Sequence, residues 1–362
     1  MQAKQKSLEA IALNNLEKPI LLAGPCSAES KEQLLQVATS LQNSSTINML
    51  RAGIWKPRTR PNSFEGVGEE GLKWLSEIQS ELNLPVVTEV ATAQHAQKAL
   101  EHGIKNVWIG ARTTVNPFSV QEIVEALTGE DVCVLVKNPI HADIDLWQGS
   151  IERFMKAGIT NLAGVHRGFS SFLNSEYRNL PMWNIPIELQ RRFPELPIIC
   201  DPSHIAGVNN LVPTVAQKAL DLNMAGLMIE VHPNPKEALS DPEQQLTPKD
   251  YNELIATLVI RDAKPESQLI INQLEELRAQ IDKVDEDLIS TLLSRMDVIR
   301  QIGQYKHNNN VSVLQLERWN EILTSRSELG SKLNMDDKFI KRLFELIHQE
   351  SIRIQTNINS TK

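Results

Sequence analysis

PVVTEVATAQHAQKALEHGIKNVWIGART, residues 85–113, holds two short apolar runs, PVVTEV and NVWIG, separated by a stretch that reads as an amphipathic helix. Each run is too short for a helix and apolar on both faces, as a strand covered on both sides should be. The same unit of β-branched run, polar loop and helical stretch recurs from Pro19 to about Val231. Its other runs are ILLAG, INMLRAG, VCVLVK, ITNLAGV, PIIC and GLMIEV, which makes eight in all. Eight strand-then-helix units in ~210–250 residues predict a (β/α)8 barrel in preference to an open doubly wound sheet.

Polar residues gather just after these runs. In order they are Cys26; Arg51, Lys56 and Arg58; Glu89; Arg112; Lys137; His166 and Arg167; Asp201 and His204; Glu230 and His232. A barrel would place all of them at the C-terminal ends of its strands, the face on which barrel enzymes build their sites.

After LVIRDAKPESQLI the period changes. Leu274, Leu277, Ile281, Val284 and Leu288 alternate spacings of three and four, the seam of a long amphipathic helix. Two further helices are expected over about 312–330 and 336–358, the last opening on the acidic turn of MDDKFIKRLFELI. The expected organisation is a barrel over 1–262, a linker over 263–270 around Pro265, and an all-α domain of three helices over 271–362.

The 362 residues carry a formal net charge of -8, which argues against a nucleic-acid binder. No apolar run approaches the ~20 residues that span a bilayer, and MQAKQKSLEAIALNN lacks the apolar core of a signal peptide. Cys26, Cys133 and Cys200 are odd in number and far apart, so no disulfide framework is expected and the reducing cytoplasm is the expected location.

Two residue sets point to chemistry. Cys26, His204, Glu230 and Asp241 are each read as following a different strand, so that a closed barrel would bring them to one ion. Thiolate, imidazole and carboxylate together suit manganese, Fe(II), cobalt or zinc and disfavour magnesium or calcium. Arg51, Lys56, Arg58, Arg112, Lys137 and Arg167 would crowd positive charge into one bowl, which anions must occupy. Arginine suits bidentate contact with carboxylate or phosphate, and lysine suits phosphate as a point charge.

AGPCS, AGIWKPRTRPNSFEGVG, VTEV, IGARTT, LVKNP, HRGF, DPSH and IEVHPNPKEALSDPEQQL, in that order over residues 19–260, closely resemble type I 3-deoxy-D-arabino-heptulosonate 7-phosphate (DAHP) synthase. The resemblance implies a metal-dependent, aldol-like condensation of phosphoenolpyruvate with erythrose 4-phosphate, with one divalent ion per barrel, manganese foremost. It implies Cys26, His204, Glu230 and Asp241 as ligands and Arg51, Lys56, Arg112, Lys137 and Arg167 as holding phosphoenolpyruvate. Lys56, Pro57, Arg58 and Thr59 would receive erythrose 4-phosphate, and Lys56, Glu89 and Asp201 are candidates for moving protons. A sister family, 3-deoxy-octulosonate 8-phosphate synthase, takes arabinose 5-phosphate and resembles KANR where this chain has KPRT; it is the alternative reading.

LRAQIDKVDEDLISTLLSRMDVIRQIGQYK and FIKRLFELIHQESIRIQ resemble an AroQ-type chorismate mutase. Arg295 and Lys306, eleven residues apart, share one helix face, as do Ser351 and Gln355 on the last helix. Arg278 lies about 100° round the axis from Arg295, which agrees with the family's arrangement, where this arginine reaches into the partner subunit's site; an intertwined homodimer is expected. The resemblance implies that Arg278, Arg295 and Arg318 bind the carboxylates of chorismate, that Lys306 and Gln355 meet its ether oxygen, and that Ser351 also contacts it. Gln315 and Trp319 depart from the pattern, the latter standing where a glutamate often meets the substrate hydroxyl. The domain is expected to rearrange chorismate to prephenate and also to relay inhibition of the barrel by prephenate or chorismate; the alternative is a regulatory binding module alone.

Overall fold

Alternation along each strand decides which side chains enter the barrel. The computed structural model describes residues 9–44, 47–56, 64–172, 175–261 and 267–360. Its parallel strands are β1 (Ile20–Gly24), β2 (Met49–Arg51), β3 (Val86–Val90), β4 (Asn106–Ile109), β5 (Cys133–Lys137), β6 (Leu162–His166), β7 (Ile198–Cys200) and β8 (Gly226–Glu230). Each pairs with the next and β8 pairs with β1, which closes the barrel. Leu22, Met49, Val87, Trp108, Leu135, Val165, Ile199 and Met228 fill its interior. Their neighbours Ala23, Leu50, Val86, Val107, Val134, Ile198 and Leu227 face the surrounding helices.

Those helices are well signalled locally. Asn116, Asp143 and Thr247 accept backbone N–H groups at the starts of Pro117–Leu127, Ile144–Lys156 and Pro248–Thr257, and Thr247 with Asp250 forms a reciprocal capping box. The residues before β1 close the opposite end of the barrel. Leu13 is buried against the interior layer, Ile11 N–H donates to Asn106 Oδ1 at 2.9 Å, and Asn161 Nδ2 returns a bond to the Ile11 carbonyl at 2.8 Å.

The chain divides into two compact units, residues 1–263 and 264–362. The second holds three helices, Gln268–Asn308, Leu316–Lys332 and Asp337–Ser360, with no strand among its described residues. The first helix begins inside the stretch read as a linker, at Gln268, after Ser267 as an extended N-cap residue. Within this unit the first and second helices pack against the third. The seam read from the sequence stays open to water: Leu274, Leu277, Ile281, Val284 and Leu288 are 37%, 49%, 59%, 63% and 52% exposed.

A candidate barrel-mouth active site and a candidate mutase pocket

The interior layer fixes what stands above it. Two residues beyond Met49, Val87, Leu135, Val165, Ile199 and Met228 come Arg51, Glu89, Lys137, Arg167, Asp201 and Glu230, so one inward phase carries six charged groups to the strand ends. On β4 the same step reaches Gly110, where a Cβ would collide with Glu89 Oε1; on β1 it reaches Gly24, where a Cβ would collide with the Arg51 carbonyl. Both glycines are room made for the site. His166 has the opposite phase. It lies in the outer layer among Trp147, Phe169 and Trp183, and burial pushes its imidazole down to about 3, so it is a neutral packing group and no part of the bowl.

Opposite charges pair within the mouth. Arg51 Nη1 donates to Glu230 Oε1 at 2.5 Å, and Lys137 Nζ donates to Asp201 Oδ2 at 2.7 Å. Asp201 also caps the short helix Pro202–Ala206, accepting the His204 backbone N–H at 3.1 Å, and its Oδ1 lies 3.0 Å from His204 Nδ1. Burial works against the Glu230 carboxylate, but His204 and Arg51 outweigh it and hold the group at about 2.

Cys26 Sγ, Glu230 and Asp241 place donor atoms within 4.8 Å of one another, a donor set that fits a borderline divalent ion. The Cys26 thiol donates to Asp241 Oδ2 at 3.3 Å and accepts from Lys56 Nζ at 3.4 Å; burial and then Glu230 push it up to about 12. His204 stands beside this group, its Nδ1 3.7 Å from Glu230 and 3.0 Å from Asp201 Oδ1, and is not in the cluster. A ring so held presents Nε2 as its free acceptor. The sequence reading put the four ligands after four strands, whereas Glu230 ends β8 and Asp241 lies in the loop that follows it. Asp241 reaches the cluster through a left-handed backbone, φ 48° and ψ 51°, which aspartate tolerates better than most residues.

Arg178 is a residue the sequence reading missed. Its Nη1 donates to Asp241 Oδ1 at 2.9 Å and to Gln244 Oε1 at 2.6 Å, while Gln244 Nε2 donates to Glu230 Oε2 at 2.6 Å. One guanidinium thereby orients two candidate ligands, beside a cleft of about 500 Å³ that it lines together with Tyr177 and Asp241. Arg167 donates to Asn179 Oδ1 at 2.8 Å; burial, with Arg178 and Arg112 nearby and despite Asp201, pushes it down to about 10. Such mutual pressure among cations is what an anion relieves. Pro57, Arg58 and Thr59 lie outside the described residues.

In the helical unit a cavity of about 580 Å³ is lined by Arg295, Lys306, Arg318, Ser351 and Gln355, all named from the sequence. Arg295 Nη1 donates to Ser351 Oγ at 2.9 Å, and Lys306 Nζ donates to the Val313 carbonyl at 2.7 Å. Gln355 is buried, with Oε1 unpartnered. Gln315 and Trp319 also line the cavity, and Trp319 stacks on His348 at 3.9 Å, a flat wall where an acid was the common pattern. Arg326 and His348 were missed, although His348 stands three residues before Ser351 on the same face. Burial, then Arg295 and Lys306, draw the His348 imidazole down. Arg278 is exposed and takes no part in the cavity.

Residues 3–264 match the DAHP synthetase I family. The chain belongs to that family. Residues 277–356 match chorismate mutase type II, so this member of the DAHP synthetase I family carries two enzymes of the shikimate pathway, a DAHP synthase and a chorismate mutase. A phospho-2-dehydro-3-deoxyheptonate aldolase of Thermotoga maritima is 33% identical over 235 residues, 65% of this chain and 67% of that one. A 2-dehydro-3-deoxyphosphooctonate aldolase of Caulobacter vibrioides is 27% identical over 275 residues, 70% and 91% of the two chains. The crystal structure of DAHP synthase from Thermotoga maritima superposes with a TM-score of 0.61 at 31% identity, covering 68% of this chain and 70% of that one. DAHP synthases as a family depend on a metal. No helix among the described residues is long and apolar enough to cross a membrane.

Proposed function

We propose that the barrel condenses phosphoenolpyruvate with erythrose 4-phosphate to DAHP and phosphate, and that the helical unit rearranges chorismate to prephenate. The observation that carries the first half is the convergence of Cys26, Glu230 and Asp241 beside the cations Arg51, Lys56 and Lys137 at one mouth. A divalent ion held by Cys26, His204, Glu230 and Asp241, manganese foremost with iron(II), cobalt or zinc as substitutes, supplies Lewis-acid polarisation of the aldehyde. Arg51, Lys56, Arg112, Lys137 and Arg167 bind phosphoenolpyruvate and aim its enol carbon at the aldehyde. Lys56 to Thr59 receive the aldose phosphate. Lys56, Glu89 and Asp201 are the candidates within the mouth for moving protons.

In the helical unit Arg295 and Arg318 take the carboxylates of chorismate, Lys306 and Gln355 meet its ether oxygen, and Ser351 helps to position it. The aliphatic seam left open along the first helix is what a second copy of the chain would cover, and exposed Arg278 is then free to reach the partner's cavity. The domains divide ahead of Gln268, where the first helix begins, the assembly is a homodimer through the helical unit, and the enzyme works in the cytoplasm. Prephenate or chorismate in the helical cavity lowers condensation in the barrel.

Following phosphoenolpyruvate and chorismate consumption separately in the intact protein tests these readings together. Chelation is expected to stop the first, manganese to restore it, and neither to touch the second. Turnover with arabinose 5-phosphate in place of erythrose 4-phosphate would favour the octulosonate chemistry. A condensation rate unmoved by prephenate removes the regulation, and a monomer in sedimentation removes the dimer.

A further inference from the structure

Beneath the charged mouth lies an aromatic ring for which neither activity accounts. Trp108, on the inward phase of β4, is 1% exposed and pairs in register with Glu89 and Leu135. The Arg51 guanidinium carbon lies 4.8 Å from its ring centroid and Lys137 Nζ lies 5.5 Å from it. Both distances are within the reach of a cation–π contact, which is strongest for tryptophan. The indole N–H, which a buried tryptophan normally satisfies, has no partner among the described residues. Leucine or phenylalanine would fill a core without that cost, so the indole contributes something other than volume.

Each of the two cations also holds one carboxylate, Arg51 that of Glu230 and Lys137 that of Asp201. An incoming anion meets Arg51 Nε, which has no partner among the described residues, and draws each cation away from the carboxylate that it holds. A π face uses none of their N–H groups, so it can persist, beside the 3.3 Å bond from Arg51 Nη2 to the Cys26 carbonyl, while a cation exchanges its anionic partner.

We propose that Trp108 is a positioning residue, whose ring face holds Arg51 and Lys137 in place while they take up the phosphoenolpyruvate anion. This rests on reading those two cations as part of the phosphoenolpyruvate site. The test is the steady-state kinetics of Trp108→Leu, Trp108→Phe and Lys137→Gln in the intact protein, with thermal unfolding measured for each. The leucine variant is expected to raise KM for phosphoenolpyruvate about tenfold, ~1.4 kcal/mol, with kcat changed less than about threefold. Phenylalanine, smaller but aromatic, is expected to return KM to within about threefold of the parent. Should the leucine variant fail to fold, Trp108→Met makes the same comparison. Equal KM shifts for the aromatic and aliphatic variants, or no shift in either, reduce Trp108 to a core filler and overturn the proposal. If Lys137→Gln raises KM while Trp108→Leu does not, only the role of Trp108 falls; if Lys137→Gln leaves KM unchanged, the phosphoenolpyruvate reading falls and takes this one with it.

Discussion

Cys26→Ser is expected to lower condensation by about 10³-fold or more while leaving chorismate rearrangement at the parent rate. The thiol sits buried at the meeting of Asp241 and Lys56, close to Glu230, and serine keeps its size. What changes is the donor. A soft, ionisable sulfur becomes a hydroxyl that stays protonated and binds borderline ions poorly, so the other proposed ligands would lose both affinity and selectivity for the ion. Several kcal/mol of Lewis-acid stabilisation corresponds to the loss stated. Elemental analysis supplies the second readout, with metal content expected well below one ion per chain. Full metal content with parental condensation would show that Cys26 is an inert core thiol, like Cys133 in the interior layer.

How much of this was legible depended on periodicity. A strand fixes its side chains two by two, so the barrel and its inward row of Arg51, Glu89, Lys137, Arg167, Asp201 and Glu230 follow from short runs read in register. The same count would have set His166 outside, since it is out of phase with Ala163 and Val165. Arg178 and Gln244 were beyond this kind of reading. They lie in loops after β6 and β8, where no period operates, and only the closed barrel brings them to Asp241 and Glu230. Trp108 was visible as part of an apolar run, yet an apolar run gives no reason to single out one ring from its neighbours. The spacing of Arg295 and Lys306 put both on one helix face, and both line the cavity. Helix geometry also set Arg278 apart from it. The open seam from Leu274 to Leu288 makes the converse point: a pattern read as a buried stripe is met by water in a single chain, because helical spacing says that a face wants cover and not which chain supplies it.

Lys306→Ala is expected to lower kcat for chorismate rearrangement about 10²–10³-fold, with a smaller change in KM and none in condensation. The reaction needs no nucleophile. Its barrier falls when a compact conformer is held and when charge on the breaking ether bond meets a fixed cation. On the proposed reading Arg295, anchored on Ser351, and Arg318, paired with Glu321, would meet carboxylates that are charged throughout, so they would contribute to binding as much as to rate. Lys306 would differ, because the ether oxygen proposed as its target gains charge only on the way to the transition state. Its ammonium is held by the Val313 carbonyl at the cavity wall, and burial draws its pKa down. A lowered ammonium pKa loses its proton sooner as pH rises, so the mutase rate should decline on the alkaline side before the ~10.4 of a free lysine. The residual rate of Lys306→Ala should lack that decline. A variant with parental kcat, or with the same alkaline limb, would show that the lysine only closes the cavity wall and that the charge on the ether oxygen is met elsewhere.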